Sequence, residues 1–341
     1  MRPTRSIPSA PSHSSMPLSR RRCLGAAFAA AAGIAAPAWA QGRDQTVRIV
    51  VPFTPGGGND VFARQLAHGL NEMFRKNAIV ENKPGAGGNL GTEMVVRAPA
   101  DGSTYLLGHT GTVSINPALY TGLKFNASRD LQPVAMFASS ALLLLVPEAS
   151  PIRNVAELVD ALRHAQGGMN YASSGAGTGG HLTGEMFAHM LGVKATHVPY
   201  KGTAPSLTDL AGGQVNFSFS VIPAALALVK AGKLRALAVT SAKRLAQLPD
   251  VPTVAESRVA ALANFESSLT YGILAPKGTS AADVQKLGAE ILKVAASPAF
   301  QSKLGVEGAE PMLGDAAAYA KKIQQESSKW AAVVKASGAT V

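Results

Sequence analysis

The sequence predicts an α/β protein of two domains facing each other across a cleft. Short β-rich runs alternate with helical ones along nearly the whole chain beyond residue 46, the rhythm of parallel sheets covered by helices. Roughly 300 residues beyond a candidate leader are enough for two substantial cores. Two glycine-rich turns each stand where a strand should feed a helix, and two such turns facing one another would form a cleft.

The elements follow in order. Val47 to Phe53 is β-rich and ends in the turn Thr54, Pro55, Gly56, Gly57, Gly58, Asn59, Asp60. Asp60 to Phe74 then places Val61, Leu66, Leu70 and Phe74 at helical spacing. Strands are expected at Ala78 to Glu81, Tyr105 to His109 and Ala141 to Val146, and a helix at Val155 to Leu162. Met169 to Ala172 leads into the second turn, Ser173, Ser174, Gly175, Ala176, Gly177, Thr178, Gly179, Gly180, and that turn into a helix from His181 to Leu191. Further strands are read at Thr196 to Val198, Val215 to Ser220, Leu234 to Thr240 and Leu269 to Ala275. Ser280 with Asp283 reads as a capping box ahead of Val284, Leu287, Ile291 and Val294. A last helix, Asp315 to Ala336, buries Tyr319, Ile323, Trp330 and Val334.

Glycine lets backbone N–H groups crowd toward a ligand, and the helix that follows adds the positive end of its dipole. Each turn is therefore a candidate anion cradle that needs no cationic side chain. Neither contains Arg or Lys, so the expected ligand has a neutral or singly charged distal end.

Arg20, Arg21 and Arg22, an alanine-rich apolar run from Leu24 to Ala36, and Ala38, Trp39, Ala40 form an export signal spanning residues 1–40, cleaved after Ala40. Ser19, Arg20 and Arg21 resemble a twin-arginine signal, but Cys23 stands where a large apolar residue is usual, so the Sec and twin-arginine routes both stay open. Residues 1–15 are rich in Ser and Pro without apolar pattern, which points to Met16 as the start. Cys23 is the only cysteine, and cleavage removes it, leaving neither a disulfide nor a thiol nucleophile. Arginines rather than aliphatic residues precede it, which argues against a lipid anchor.

The formal net charge is +11; five arginines within residues 1–40, where there is no acid, leave +6 after cleavage. Lysines and arginines are scattered, without the clustering and interleaved aromatics of a nucleic-acid surface. Gly175 to Gly180 formally matches G-x-G-x-x-G, yet the strand that should offer an acid to a ribose reads Thr196, His197, Val198, Pro199, Tyr200. Dinucleotide binding is rejected, and no cofactor is expected. Ser173 and Ser174 lack the glycine of a G-x-S-x-G elbow and are read as ligand donors. The seven histidines show no metal-ligand spacing, so no metal site is expected. Most are read as packed or surface residues, His109 and His181 being set apart because they abut glycine-rich turns. No acidic pair suggests general acid–base catalysis.

The order of segments is similar to that of a known family. Val51, Pro52, Phe53 with Pro55, Gly56, Gly57; Val80 to Gly88; Asp101 to Tyr105; Asn116 to Tyr120; His197 to Gly202; Gly212 to Val215; and Ala231 to Thr240, with Arg244, Leu248 to Thr253 and Glu256, resemble the Bug-type receptors of tripartite tricarboxylate transporters. Ser103 and the stretches after Glu256 and around Ser267 to Gly272 depart from that pattern.

The resemblance implies a type II periplasmic binding protein-like fold, two doubly wound α/β domains joined by crossover strands near Ala138 to Pro147 and Leu269 to Pro276. It assigns 44–140 plus 270–341 to one domain and 141–269 to the other. It implies a monomeric, non-catalytic receptor that captures a small organic acid in the periplasm for membrane transporter subunits or a sensor kinase. Site residues carried over are Thr54, Gly57 and Gly58; His109, Thr110 and Thr112; Ser174, Gly175, Gly177, Thr178 and His181; and Tyr200 and Asp209. The readings set against it are an exported enzyme acting on a small carboxylate and a ligand sensor of a two-component system.

Overall fold

Alternation along the chain produces its elements nearly as the sequence suggests. The computed structural model describes residues 46–339; the export signal and its cleavage after Ala40 lie outside the described residues. β1 (Val47–Val51) leads through the first glycine turn into α1 (Gly58–Phe74) and β2 (Ala78–Asn82). A 3₁₀ turn, Ala86–Gly88, opens α2 (Asn89–Val96), and β3 (Thr104–His109) runs into a π-helical turn, Gly111–Ile115. Two one-turn helices, α3 (Asn116–Leu119) and α4 (Ala127–Asp130), precede the long β4 (Leu131–Pro147). The chain continues through α5 (Val155–His164), β5 (Met169–Ser173), α6 (Gly179–Leu191), β6 (Ala195–Pro199), α7 (Thr203–Ala211), β7 (Phe217–Val221), α8 (Ile222–Lys230) and β8 (Leu234–Val239). It closes with β9 (Ser268–Pro276), α9 (Ala281–Ala296), α10 (Pro298–Val306), β10 (Ala309–Asp315) and α11 (Ala316–Ser337).

Helix starts follow from their caps. Ser280 Oγ accepts the Asp283 N–H at 3.1 Å, as the capping box requires, and Asp315 does the same for Ala318 at 2.8 Å ahead of α11. α11 buries Tyr319, Ile323, Trp330 and Val334, the face read from its periodicity.

The strands line up as β2-β1-β3-β9-β4-β7-β5-β6, with β8 and β10 also paired to β4. Pairing is parallel where βαβ units were expected, β1 with β2 and β3, and β5 with β6 and β7. The middle of the sheet differs from the all-parallel rhythm. β9 runs antiparallel to β3 and β4, and β4 antiparallel to β7, β8 and β10. The reason is connectivity: β4 and β9 carry the chain between the two halves and belong to no βαβ unit.

β4 changes neighbours along its length. Residues 131–141 pair with β9, and residues 142–147 with β7 and β8. Its second part reads as an unbroken apolar run because both faces are covered. Leu142, Leu144 and Val146 enter the large core, while Leu143 and Leu145 enter a second core with Ala172, Leu207 and Ile222. Where the two crossing segments meet, Thr240 ties them together. Its Oγ1 accepts the Leu142 N–H at 2.8 Å and donates to the Ser267 carbonyl at 2.5 Å. Fold class and crossings together give a type II periplasmic binding protein-like fold of two doubly wound halves.

Candidate ligand cleft

The first cradle is held open by its own side chains. Gly57 caps α1 in an extended conformation, and Gly56 takes φ +82°, which glycine adopts without strain. Residues 54–57 are exposed. Asp60, buried in the first turn of α1, accepts the Gly56 N–H at 3.0 Å, Arg64 Nε at 2.9 Å and Asn82 Nδ2 at 2.9 Å. Burial pushes the Asp60 carboxyl up, but the hydrogen bonds from Arg64, Gly56 and Asn82 outweigh it and hold it below the ordinary carboxylate range. Gly56 is thus committed to the turn. The N–H groups of Gly58 and Asn59, in the first turn of α1, have no intrahelical acceptor.

His109, at the end of β3, is buried beside this turn and stacks on Phe53 with ring centroids 4.9 Å apart. Its Nδ1 accepts the Gly111 N–H at 2.8 Å, and burial pulls its pKa down to about 4, so the imidazole is neutral. Thr112 Oγ1 accepts the His109 N–H at 3.2 Å and donates to the His109 carbonyl at 3.1 Å. Thr110 Oγ1 accepts the Thr270 N–H of β9 at 2.9 Å. Both hydroxyls are engaged in the fold.

The second cradle is built alike. Gly175 (φ +141°) and Gly177 (φ +78°) make the turn, and Thr178, capping α6, donates its hydroxyl to the Gly175 carbonyl at 2.7 Å. His181 Nδ1 accepts the Gly177 N–H at 3.1 Å. Beneath lies a stacked pair, His181 and His197, 3.9 Å apart. Burial pulls His181 down to about 4; burial and then the neighbouring His181 pull His197 to about 3. Ser173 Oγ lies 2.7 Å from His197 Nε2 and donates to the Gly175 carbonyl at 2.9 Å, so its hydroxyl supports the turn from below. Ser174 is half-buried, and its carbonyl accepts the Gly202 N–H at 3.2 Å. Tyr200 donates its phenol to Asp209 at 2.7 Å, and a Cβ on Gly175 would stand 3.3 Å from the Tyr200 carbonyl oxygen, so these two residues border the cradle.

Where the halves meet, Gly177 faces residues that periodicity and turn chemistry did not single out. A Cβ on Gly177 would stand 3.2 Å from Leu119 and Tyr120 and 3.3 Å from Asn116 Oδ1. A Cβ on Gly87 would lie 2.5 Å from the Tyr120 hydroxyl, and one on Gly88 would meet Thr112 and Phe53. Phe53, His109, the turn 85–88, Asn116 and Tyr120 therefore form one continuous wall opposite the second cradle. Asn116 and Tyr120 lie within a segment that carries the family resemblance, but only the π-helical turn after His109 brings them there. Among the described residues no cluster of His, Cys, Asp or Glu could hold a metal ion, and no helix is long and apolar enough to cross a membrane.

The chain and its fold have counterparts among known proteins. A family model described as the tripartite tricarboxylate transporter family receptor matches residues 62–339. Protein BugT of Bordetella pertussis is 32% identical over 314 residues, 92% of this chain and 95% of that protein. Rpa4515 of R. palustris, solved with adipate, is 35% identical with a TM-score of 0.80, covering 87% of this chain and 98% of that one. MatC (Rpa3494) of Rhodopseudomonas palustris, solved with bound malate, is 30% identical with a TM-score of 0.75, covering 85% and 98%. The agreement covers most of the chain, which belongs to the Bug-type receptor family of tripartite tricarboxylate transporters, whose members are periplasmic solute-binding proteins.

Proposed function

We propose that the mature protein, beginning near Gln41, captures a small organic carboxylate in the periplasm and delivers it, without altering it, to the membrane subunits of a tripartite tricarboxylate-type transporter. The observation that carries this reading is the pair of glycine turns at the starts of α1 and α6. The second is propped by the neutral His181 and faces the wall of Asn116 and Tyr120; the first is held by Asp60 and follows Phe53, which stacks on the neutral His109 in that same wall. Such turns hold a carboxylate with N–H groups and a helix dipole, and two relatives of the same fold were solved with adipate and with malate.

In this reading the domains are 44–140 plus 270–341 and 141–269, and they close on the ligand by bending where β4 and β9 cross. Gly57 and Gly58 present backbone groups at the first turn; Gly175 and Gly177, whose N–H groups are held by Ser173 Oγ and His181 Nδ1, line the second and let a ligand approach closely; Thr54, Ser174 and Thr178 flank them with hydroxyls. His109, Thr110, Thr112 and His181 shape the turns, and Tyr200 with Asp209 braces the second cradle. Catalysis through Ser173 and His197 is disfavoured because Ser173 is 1% exposed and its hydroxyl supports the turn.

A thermal-shift screen against mono-, di- and tricarboxylates, amino acids and nicotinamide-type compounds tests this reading. A rise in melting temperature with an acid that is recovered unchanged supports a receptor. An acid that is consumed, or no acid binding at all, refutes it.

A further inference from the structure

We propose that Asn89 and Asn116 form a specificity seat selecting a carboxylic acid that carries a hydrogen-bond donor on its chain, a hydroxyl or an N–H, over the matching acid without one. The inference rests on the receptor reading above and narrows its substrate class.

A third glycine turn, 85–88, opens α2, and Asn89 is that helix's first residue. Asn116 spends both protons of its amide nitrogen, donating to the Gly87 carbonyl at 2.9 Å and to Asn89 Oδ1 at 2.8 Å. Two acceptors on one nitrogen fix the amide's orientation, because the flipped form would set oxygen against oxygen. What is left over is one acceptor, Asn116 Oδ1, and one donor, Asn89 Nδ2, both sealed from solvent and both without a partner. The residues are 0% and 5% exposed. A sealed, unpaired amide is disfavoured unless something completes it.

The unpaired oxygen faces the second glycine turn, 3.3 Å from where a Cβ on Gly177 would stand, and is closed off by it. Cargo seated at that turn would lie beside the oxygen, and a chain substituent would reach it once Gly177 draws back. A hydroxyl or N–H completes Asn116 Oδ1. A bare methylene leaves it unpaired, and a carboxylate oxygen repels it. Sites that leave a buried polar group unpaired discriminate strongly against the analogue lacking the matching group.

The test is titration calorimetry of the mature protein with matched acids: succinate, malate and aspartate; glutarate and 2-hydroxyglutarate; adipate and 2-hydroxyadipate. In at least one series the substituted acid is expected to bind ten-fold or more tightly than the plain one, and Asn116→Ala is expected to reduce that ratio below threefold. Wild-type ratios under threefold in every series overturn the proposal, as does an unchanged ratio in the variant. The wild-type series decides the matter even where the variant fails to fold. Failure of every acid to bind overturns the receptor reading itself, a result distinct from binding without preference.

Discussion

Replacing Thr240 by valine probes the junction that lets one sheet serve two halves. The residue is fully buried, and valine matches its shape while removing the hydroxyl. The change strands two backbone groups, the N–H of Leu142 and the carbonyl of Ser267, in a region without access to water. Each orphaned group costs roughly 1–3 kcal/mol, so the variant should lose about 2–6 kcal/mol. For a folded body of roughly 300 residues the unfolding entropy near the midpoint is about 0.6 kcal/mol/K, which converts that loss to a fall in Tm of roughly 3–10 °C. Thr208→Val is the control: Thr208 is exposed, and its hydroxyl bonds only to the Ala204 carbonyl one helical turn back, so its Tm should stay within about 1 °C. Scanning calorimetry on both variants makes the comparison. A Thr240→Val protein that melts with its control would show that the hydroxyl does not join the crossing segments.

Gly177 and Gly213 both have left-handed φ, +78° and +73°, but only Gly177 has neighbours within reach of a Cβ. Alanine at either should cost roughly 1–2 kcal/mol of stability; only Gly177→Ala should also weaken ligand binding, by roughly tenfold, and equal affinities in calorimetry would remove Gly177 from the cleft. Stability should fall in acid: His109 and His181 are held near 4 and His197 near 3, below the unfolded value of about 6.5, so the unfolded chain takes up protons first. Their contribution is complete above about pH 6.5 and is lost as pH falls toward 4, at roughly 3 kcal/mol for His109 alone; a Tm constant from pH 7 to 4.5 would contradict this. Asp60→Ala removes the acceptor for Gly56, Arg64 and Asn82 and should cost about 1–3 kcal/mol, read from urea unfolding at pH 7. An unchanged denaturation midpoint would show that the first cradle does not depend on its aspartate.

Much of this protein is decided locally. The apolar period of α1, α9 and α11, the caps at Ser280 and Asp315, and the glycines at positive φ are properties of a few neighbouring residues, so the elements and both cradles are legible in the chain. Elements that depend on distant partners were not. β10 reads Ala-Glu-Pro-Met-Leu-Gly-Asp, with a proline and a glycine that weaken any local strand signal, and exists because it pairs with β4. The first part of β4 has irregular registers around Pro133 and Met136, so only its apolar second part, covered on both faces, was visible. Direction is likewise a tertiary property: alternation announces parallel βαβ units, but strands that carry the chain from one half to the other have no such unit to orient them. The site divides in the same way. Sequence alone determined the two glycine turns, while the tertiary structure decided what faces them. It stacked His197 on His181 from separate elements, committed the Thr110, Thr112 and Ser173 hydroxyls to the fold, and brought Asn116 to Gly177, because contacts between residues far apart in the chain form only when the sheet and its crossings place them.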